Sequence, residues 1–307
     1  MRVGLSWELN RNQSPGDVWP EVLGEIQSAD QLGFDSVWLS EGRDSASSCP
    51  SPTLFMTHAA RMTKTVQLRA ASRCVTRANP VRIAEEVAVL DLFSRGRAGI
   101  AFAAAGRQDV PAARVHETIE LVTSAWAADE IRYRGDFVRF PTHTPDDAPR
   151  VMTEPDRAGE YLPQWEWGPI APDFLAITPK PYVPRPPVYV DLDDDETLDW
   201  AARHGISPMV GAHVATEEAI ERLARYRKLA DAAGRGRAEV DAVLERWIAL
   251  DGEGDSHALG GESRELVSTI RELKAAAPIS HLVWQRRGSE DGELFRFAGE
   301  VQPLLQA

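Results

Sequence analysis

Glu41, His143 and His213 carry the side chains best able to hold and pass a proton near a ligand. Glu41 ends the apolar run in GFDSVWLSEGRD, residues 33–44, and is followed by Gly42, Arg43 and Asp44. Arg73 and Arg107 are candidate anion binders, because a guanidinium stays charged and grips an oxyanion through parallel N–H donors. Trp7, Phe102, Trp165 and Trp167 could wall an apolar pocket, although core packing is the simpler account of Trp7 and Phe102. Other chemistries lack their signatures. The chain has no HExxH, Walker loop, GxGxxG or Ser-His-Asp order. Its seven histidines include no i,i+4 pair and its only cysteines are Cys49 and Cys74, so no metal site is expected.

Residues this far apart need a fold that gathers them. Short β-rich runs at 1–7, 36–40, 66–72 and 97–105 alternate with helical spacing at 17–33, 52–62 and 80–94. The last of these helices opens on Pro80, whose missing N–H costs nothing in a first turn. A helix at 110–128 and a hairpin around Gly135 (130–140) follow, and then residues 141–187, rich in Pro, Trp and Asp, with no sustained period. Strands at 187–192, 207–211, 245–251 and 279–286 then alternate with helices at 196–204, 216–233, 263–276 and 290–305. Runs apolar on both faces, each followed by an amphipathic helix, mean a parallel sheet covered by helices. Eight such units predict an α/β fold, a (β/α)8 TIM barrel in one domain over 1–307. Residues of about 130–187 form an insertion expected to cover the C-terminal mouth as a lid.

Chemistry in such a barrel sits at the C-terminal ends of the strands. Those ends carry Trp7, Glu41 to Asp44, Ser72 and Arg73, Ala103 to Arg107, Asp191 to Asp195, Gly211 with His213, Asp251, and Gln285 with Arg286. The insertion contributes His143, Trp165 and Trp167.

Bulk properties narrow the partners. Thirty-four Lys and Arg against 47 Asp and Glu leave a formal charge of −13, which repels phosphate backbones and anionic lipid. Nucleic-acid and membrane partners are therefore not expected. The opening MRVGLSWELN lacks the apolar core of a signal peptide, and the cysteine count suits a reducing compartment, so a cytoplasmic location is expected.

Several stretches together resemble the bacterial luciferase-like family of flavin- or deazaflavin-dependent oxidoreductases. They are ADQLGFDSVWLSE (29–41), NPVRIAEEVAVLDLFSRGR (79–97), GIAFAAAG (99–106), ITPKPYVPRPPVYV (177–190) and LFRFAGEVQPLL (294–305). The resemblance implies a single TIM barrel, usually a homodimer or heterodimer, with the flavin across the mouth. Its commonest chemistry is monooxygenation of an organic small molecule with O2 and reduced FMN supplied by a separate flavin reductase. On that reading Glu41, His213 and His143 handle or position protons. Ser72, Arg73, Ala103, Ala104, Arg107, Asp194 and Thr197 line the cofactor, while Trp7, Phe102, Trp165 and Trp167 face the substrate.

The chain also departs from the family pattern. Gly42 stands where luciferase-type enzymes carry a histidine, and Ala104 where luciferase has an arginine. The helix after the fifth strand opens on DLDDDETLDWAA (191–202), whose Asp193, Asp194, Asp195 and Glu196 suit a helix N-terminus but repel a phosphate. Two alternatives to an FMN monooxygenase follow. One is a flavin-free member, either a non-catalytic subunit or a repurposed barrel; the other is a deazaflavin-dependent hydride-transfer enzyme.

Overall fold

The computed structural model describes residues 1–7, 9, 14–42, 48–75, 78–103, 110–140, 177–236, 240–286 and 291–306. The order begins β1 (Arg2–Trp7), α1 (Pro15–Gln31), β2 (Ser36–Ser40), α2 (Pro52–Met62), β3 (Gln67–Cys74), α3 (Pro80–Ser94), β4 (Ala98–Ala103) and α4 (Ala112–Ala127). A hairpin of β5 (Tyr133–Arg134) and β6 (Arg139–Phe140) comes next, and the described part of the expected insertion ends there until residue 177. The chain continues as β7 (Val188–Asp191), α5 (Asp195–His204), β8 (Ser207–Val210), α6 (Thr216–Ala232), β9 (Val243–Leu250) and β10 (Ala258–Gly261). It closes with α7 (Ser263–Ala276), β11 (His281–Arg286), α8 (Asp291–Arg296), a π-helical turn (Phe297–Val301) and α9 (Gln302–Gln306).

Strands β1, β2, β3, β4, β7, β8, β9 and β11 pair in parallel, and the β8–β9 pairing closes the ring. This is the expected (β/α)8 barrel. Helix starts follow local chemistry. Asn79 Oδ1 accepts the Val81 N–H at 2.9 Å beside Pro80, and Asp194 caps α5 through the Thr197 N–H at 2.7 Å.

Most apolar side chains fill the layer between barrel and helices, and a smaller cluster plugs the barrel itself. The plug comprises Trp38, Ala71, Ala101, Tyr189, Met209, Val243 and Val283. Below it, at the N-terminal ends of the strands, lies a buried polar floor. Tyr189 and Ser280 donate their hydroxyls to Asp241, which also pairs with Arg2. His281 Nδ1 stands 3.4 Å from Asp241 Oδ2, and its Nε2 lies 2.8 Å from Ser36 Oγ, which accepts the Trp38 indole N–H at 2.6 Å. These contacts assign the Nδ1–H tautomer, with the Ser36 hydroxyl donating to Nε2.

The structure thus assembles a Ser36–His281–Asp241 set that no sequence motif announced, because its members come from the starts of two strands and a loop. Ser36 is fully buried and His281 nearly so, which keeps this set from any substrate. It is a structural lock.

The motif phrase LDLFSRGR is also structural. Asp91 is fully buried and accepts the N–H groups of Ala98 and Val183. Arg97 donates to carbonyls of Ala60, Thr63, Val66 and Ser94, tying the end of α3 to the α2–β3 turn.

Candidate active site

The two-residue period of a strand points Ser6, Asp191 and Glu245 inward, above the plug. The Ser6 hydroxyl donates to Glu245 Oε1 at 2.5 Å, and the Ala212 N–H approaches Oε2 at 3.4 Å. A Cβ added to Gly211 would stand 2.7 Å from His213 Nδ1 and 3.6 Å from Glu245 Oε2. The glycine therefore leaves one space that imidazole and carboxylate both border. His213 Nε2 lies 3.4 Å from Asp193 Oδ1. Arg246, the outward neighbour of Glu245, is completely buried and donates to Thr216 Oγ1 at 3.0 Å and to the Gly211 carbonyl at 3.2 Å. It clamps both ends of the loop carrying His213, and burial pushes its guanidinium down to about 10.

Electrostatics make this mouth a store of protons. Burial holds the Asp191 carboxyl well above the ordinary carboxylate range, and the charges of Asp193 and Glu245 push it further. His213 is raised above the usual imidazole value by its hydrogen bond to Asp193, against the opposing effect of burial and with help from the charges of Asp193 and Glu245. The mouth thus holds two groups that keep a proton to higher pH than their types ordinarily do.

The residues expected from sequence separate into groups. His213 joins this cluster. Glu41 lies at the end of β2, diametrically across the ring from β8, with its N–H donating to the Ala71 carbonyl at 3.1 Å. Gly42 follows, tied through its N–H to Cys49, and a Cβ there would press on Ser48 Oγ at 3.3 Å. Ala103 ends β4, and Ser72 and Arg73 fall in an irregular stretch of β3 between Ala70 and Arg73. The side chains of Ser72 and Arg73 lie outside the described residues, as do Ala104, Arg107, His143, Trp165 and Trp167 entirely.

Trp7 and Phe102 point away from the mouth, into the layer between barrel and helices. Trp7 donates its indole N–H to buried Glu25 at 2.5 Å, and Phe102 alternates with the inward Ala101 and is wholly buried. Strand parity, more than proximity to the strand end, decides which face a side chain takes.

Asp251 is likewise displaced. Strand β9 starts at Val243, two residues before the expected start, and only its first half belongs to the ring; Trp247 to Leu250 pair with β10 instead. The mouth therefore meets β9 at Glu245, while Asp251 pairs with Arg296 at 2.7 Å on the surface. Asp191 was read from sequence only as one of the strand ends, and Glu245 and Ser6 were not singled out. The available signal was a lone carboxylate inside VLERWIAL, in register with inward Val243.

At the start of α5 the acidic run is consumed locally. Asp194 takes both the N–H and the hydroxyl of Thr197, at 2.7 and 2.9 Å, Asp195 pairs with Arg225, and Asp193 with His213. Arg222 is engaged with the Leu192 carbonyl and Glu218. The described residues at this helix start offer carboxylates where a flavin phosphate needs donors, so they do not fit a phosphate there. Among the described residues no cluster of His, Cys, Asp and Glu has the geometry to hold a metal, and no helix is long and apolar enough to cross a membrane.

A family model described as luciferase-like monooxygenase matches residues 3–259. The chain belongs to this family. Among relatives of the luciferase-like chain, the oxygenase component of a flavin-dependent trigonelline monooxygenase from Acinetobacter baylyi is 23% identical over 239 residues, covering 73% of this chain and 58% of that protein. An F420-dependent glucose-6-phosphate dehydrogenase from Amycolatopsis mediterranei is 24% identical, covering 91% of this chain and 92% of its own length. Among solved structures, monooxygenase RslO1 from Streptomyces bottropensis superposes with a TM-score of 0.78 at 21% identity, covering 99% of both chains. An F420-dependent secondary alcohol dehydrogenase reaches 0.74 at 16% identity, over 100% of this chain and 99% of that one. The family includes flavin-dependent monooxygenases and F420-dependent oxidoreductases, and the structural likeness reports the barrel they share.

Proposed function

We propose that this protein is a flavin-dependent monooxygenase acting on an organic small molecule with O2 and reduced FMN delivered by a separate flavin reductase. The observation that carries this reading is a proton-holding mouth over a buried apolar plug, in a chain that matches the family from residue 3 to residue 259. His213 and Asp191 donate protons at that mouth, Glu245 with Ser6 positions them, and Glu41 holds the opposite rim. We assign the anionic end of the cofactor to Arg73 and Arg107 rather than to the acidic start of α5. We further propose a homodimer, supported by Leu54 on α2 and Phe93 on α3, exposed at 68% and 62% on adjoining helices.

Fluorescence titration with oxidised and reduced FMN tests the reading directly. Saturable quenching is expected; its absence up to high micromolar flavin overturns the FMN form. Two other readings keep specific support. Deazaflavin-dependent hydride transfer draws on the F420-dependent relative aligned along nearly the full chain, and the same titration with the deazaflavin coenzyme measures it. A flavin-free role draws on the carboxylates at the start of α5 and requires that neither coenzyme bind.

A further inference from the structure

A cavity of about 520 Å³ lies where the first turn of α3, one side of α4 and the β5–β6 hairpin meet. Val81, Leu121, Phe137 and Phe140 give it apolar walls, and Arg114 and Arg139 bring it two cations. Phe137 stays 45% exposed at its edge. Among the described residues, the guanidinium groups of Arg114 and Arg139 have no hydrogen-bond or ion-pair partner. Arg114 Nε is moreover shut off from solvent with nothing to donate to.

The reason Arg114 is free is geometric. Glu117, one turn along α4, would be its natural partner. Instead its carboxylate accepts the backbone N–H groups of Asp136, Phe137 and Val138, at 2.9, 2.8 and 2.8 Å, and so shapes the hairpin turn. A buried donor left without an acceptor is destabilising, so an incoming oxygen acceptor relieves a penalty already present. The positive end of the 15-residue helix α3 adds to the attraction, since Asn79, Pro80 and Val81 line the same space. Asp136, the carboxylate on the described lining, disfavours a dianion.

We propose that this cavity binds a small organic monocarboxylate, its apolar body against Phe137 and Phe140 and its carboxylate on Arg114, with Arg139 assisting. The proposal is independent of the cofactor reading, because it can be tested on protein without any flavin.

Isothermal titration with 3-phenylpropanoate and hexanoate, against their neutral amides and inorganic phosphate, measures it. Saturable binding of the acids is expected, with the amides weaker by about tenfold and phosphate unable to displace the acids at equal concentration. Arg114→Gln is expected to weaken the acids by about tenfold and Arg139→Gln by less. Val81→Phe, which narrows the apolar wall and leaves both cations in place, is expected to weaken binding severalfold in protein shown to be folded by circular dichroism. Absence of saturable binding overturns the proposal, as do equal affinities for acid and amide, displacement by phosphate, or unchanged affinity in either Arg114→Gln or Val81→Phe.

Discussion

The two ends of the barrel hold the same kinds of group and use them differently. The floor and the mouth each gather a carboxylate, an imidazole and a serine hydroxyl on the inner faces of the strands or just beyond them. One apolar plug separates the two sets. At the floor each group is matched: Asp241 receives Arg2, Tyr189, Ser280 and His281, and Ser36 bridges His281 and Trp38. Burial depresses the affinity of His281 for a second proton despite the nearby Asp241, whose carboxyl is itself held low by His281 and Ser280 against its own burial. At the mouth the Asp191 carboxylate has no hydrogen bond among the described residues and stands close to two other acids, while His213 is 67% exposed. Satisfaction of polar groups, rather than their identity, distinguishes a lock from a site.

The largest effect that separates the two ends is expected from Asp241→Ala. It strips four donors of their acceptor and is expected to cost about 3–5 kcal/mol, read from the denaturant midpoint. A loss below about 1 kcal/mol would place the floor with the mouth, as an unsatisfied cluster. Gly4→Ala comes next: its Cβ would lie 2.2 Å from Ser36 Oγ and 3.0 Å from the Ser36 carbonyl oxygen. A cost of about 1–3 kcal/mol is expected in thermal unfolding. Gly211→Ala, which meets only the movable ring of His213 at close range, is expected to cost less.

Asp191→Asn should move the other way. Because the folded state raises the Asp191 pKa, its ionisation opposes folding increasingly as pH climbs above the unfolded value of about 4. The amide removes that opposition, and a gain of about 1 kcal/mol at neutral pH is expected from denaturant unfolding. No gain would mean that the mouth is already relaxed.

The smallest effect concerns the histidines, whose shifts have opposite signs. His281 is lowered, so its contribution is present above about pH 6.5 and is lost as pH falls toward its folded value. His213 is raised, so its contribution is complete below about pH 6.5 and fades as pH rises through its folded value. Asp193→Asn is expected to bring His213 back toward the ordinary imidazole range in an NMR titration. Stability should change by less than about 1 kcal/mol, since the pair is open to solvent.

Strand and helix periods carried the barrel, because alternation of buried runs and amphipathic helices reports the layers directly. The phrase LDLFSRGR that supported the resemblance proved to be an N-terminal lock, with Asp91 and Arg97 satisfying backbone groups at the far end from the mouth. Site residues were less legible, since reading them requires knowing where each strand leaves the ring and which face each residue takes. His213 was placed correctly at the mouth because it follows a short strand closely. Glu245 was hidden because β9 overruns the ring to pair with β10, and Trp7 was misplaced because its parity turns it toward Glu25.

Trp7 also lies on the seam where β1 meets β11, the first and last strands of the ring. There Glu25 takes the Trp7 indole and faces Arg286 of β11, while Gln302 donates to the Gly33 carbonyl from the final helix. During vectorial synthesis β1 is made well before β11, so one of its two neighbouring strands is missing until residues 281–286 follow. Until then both the β1 and β9 edges are open to other strands. Synthesis of β11 therefore acts as a commitment step, and truncation before His281 should send the nascent chain to chaperones or aggregates.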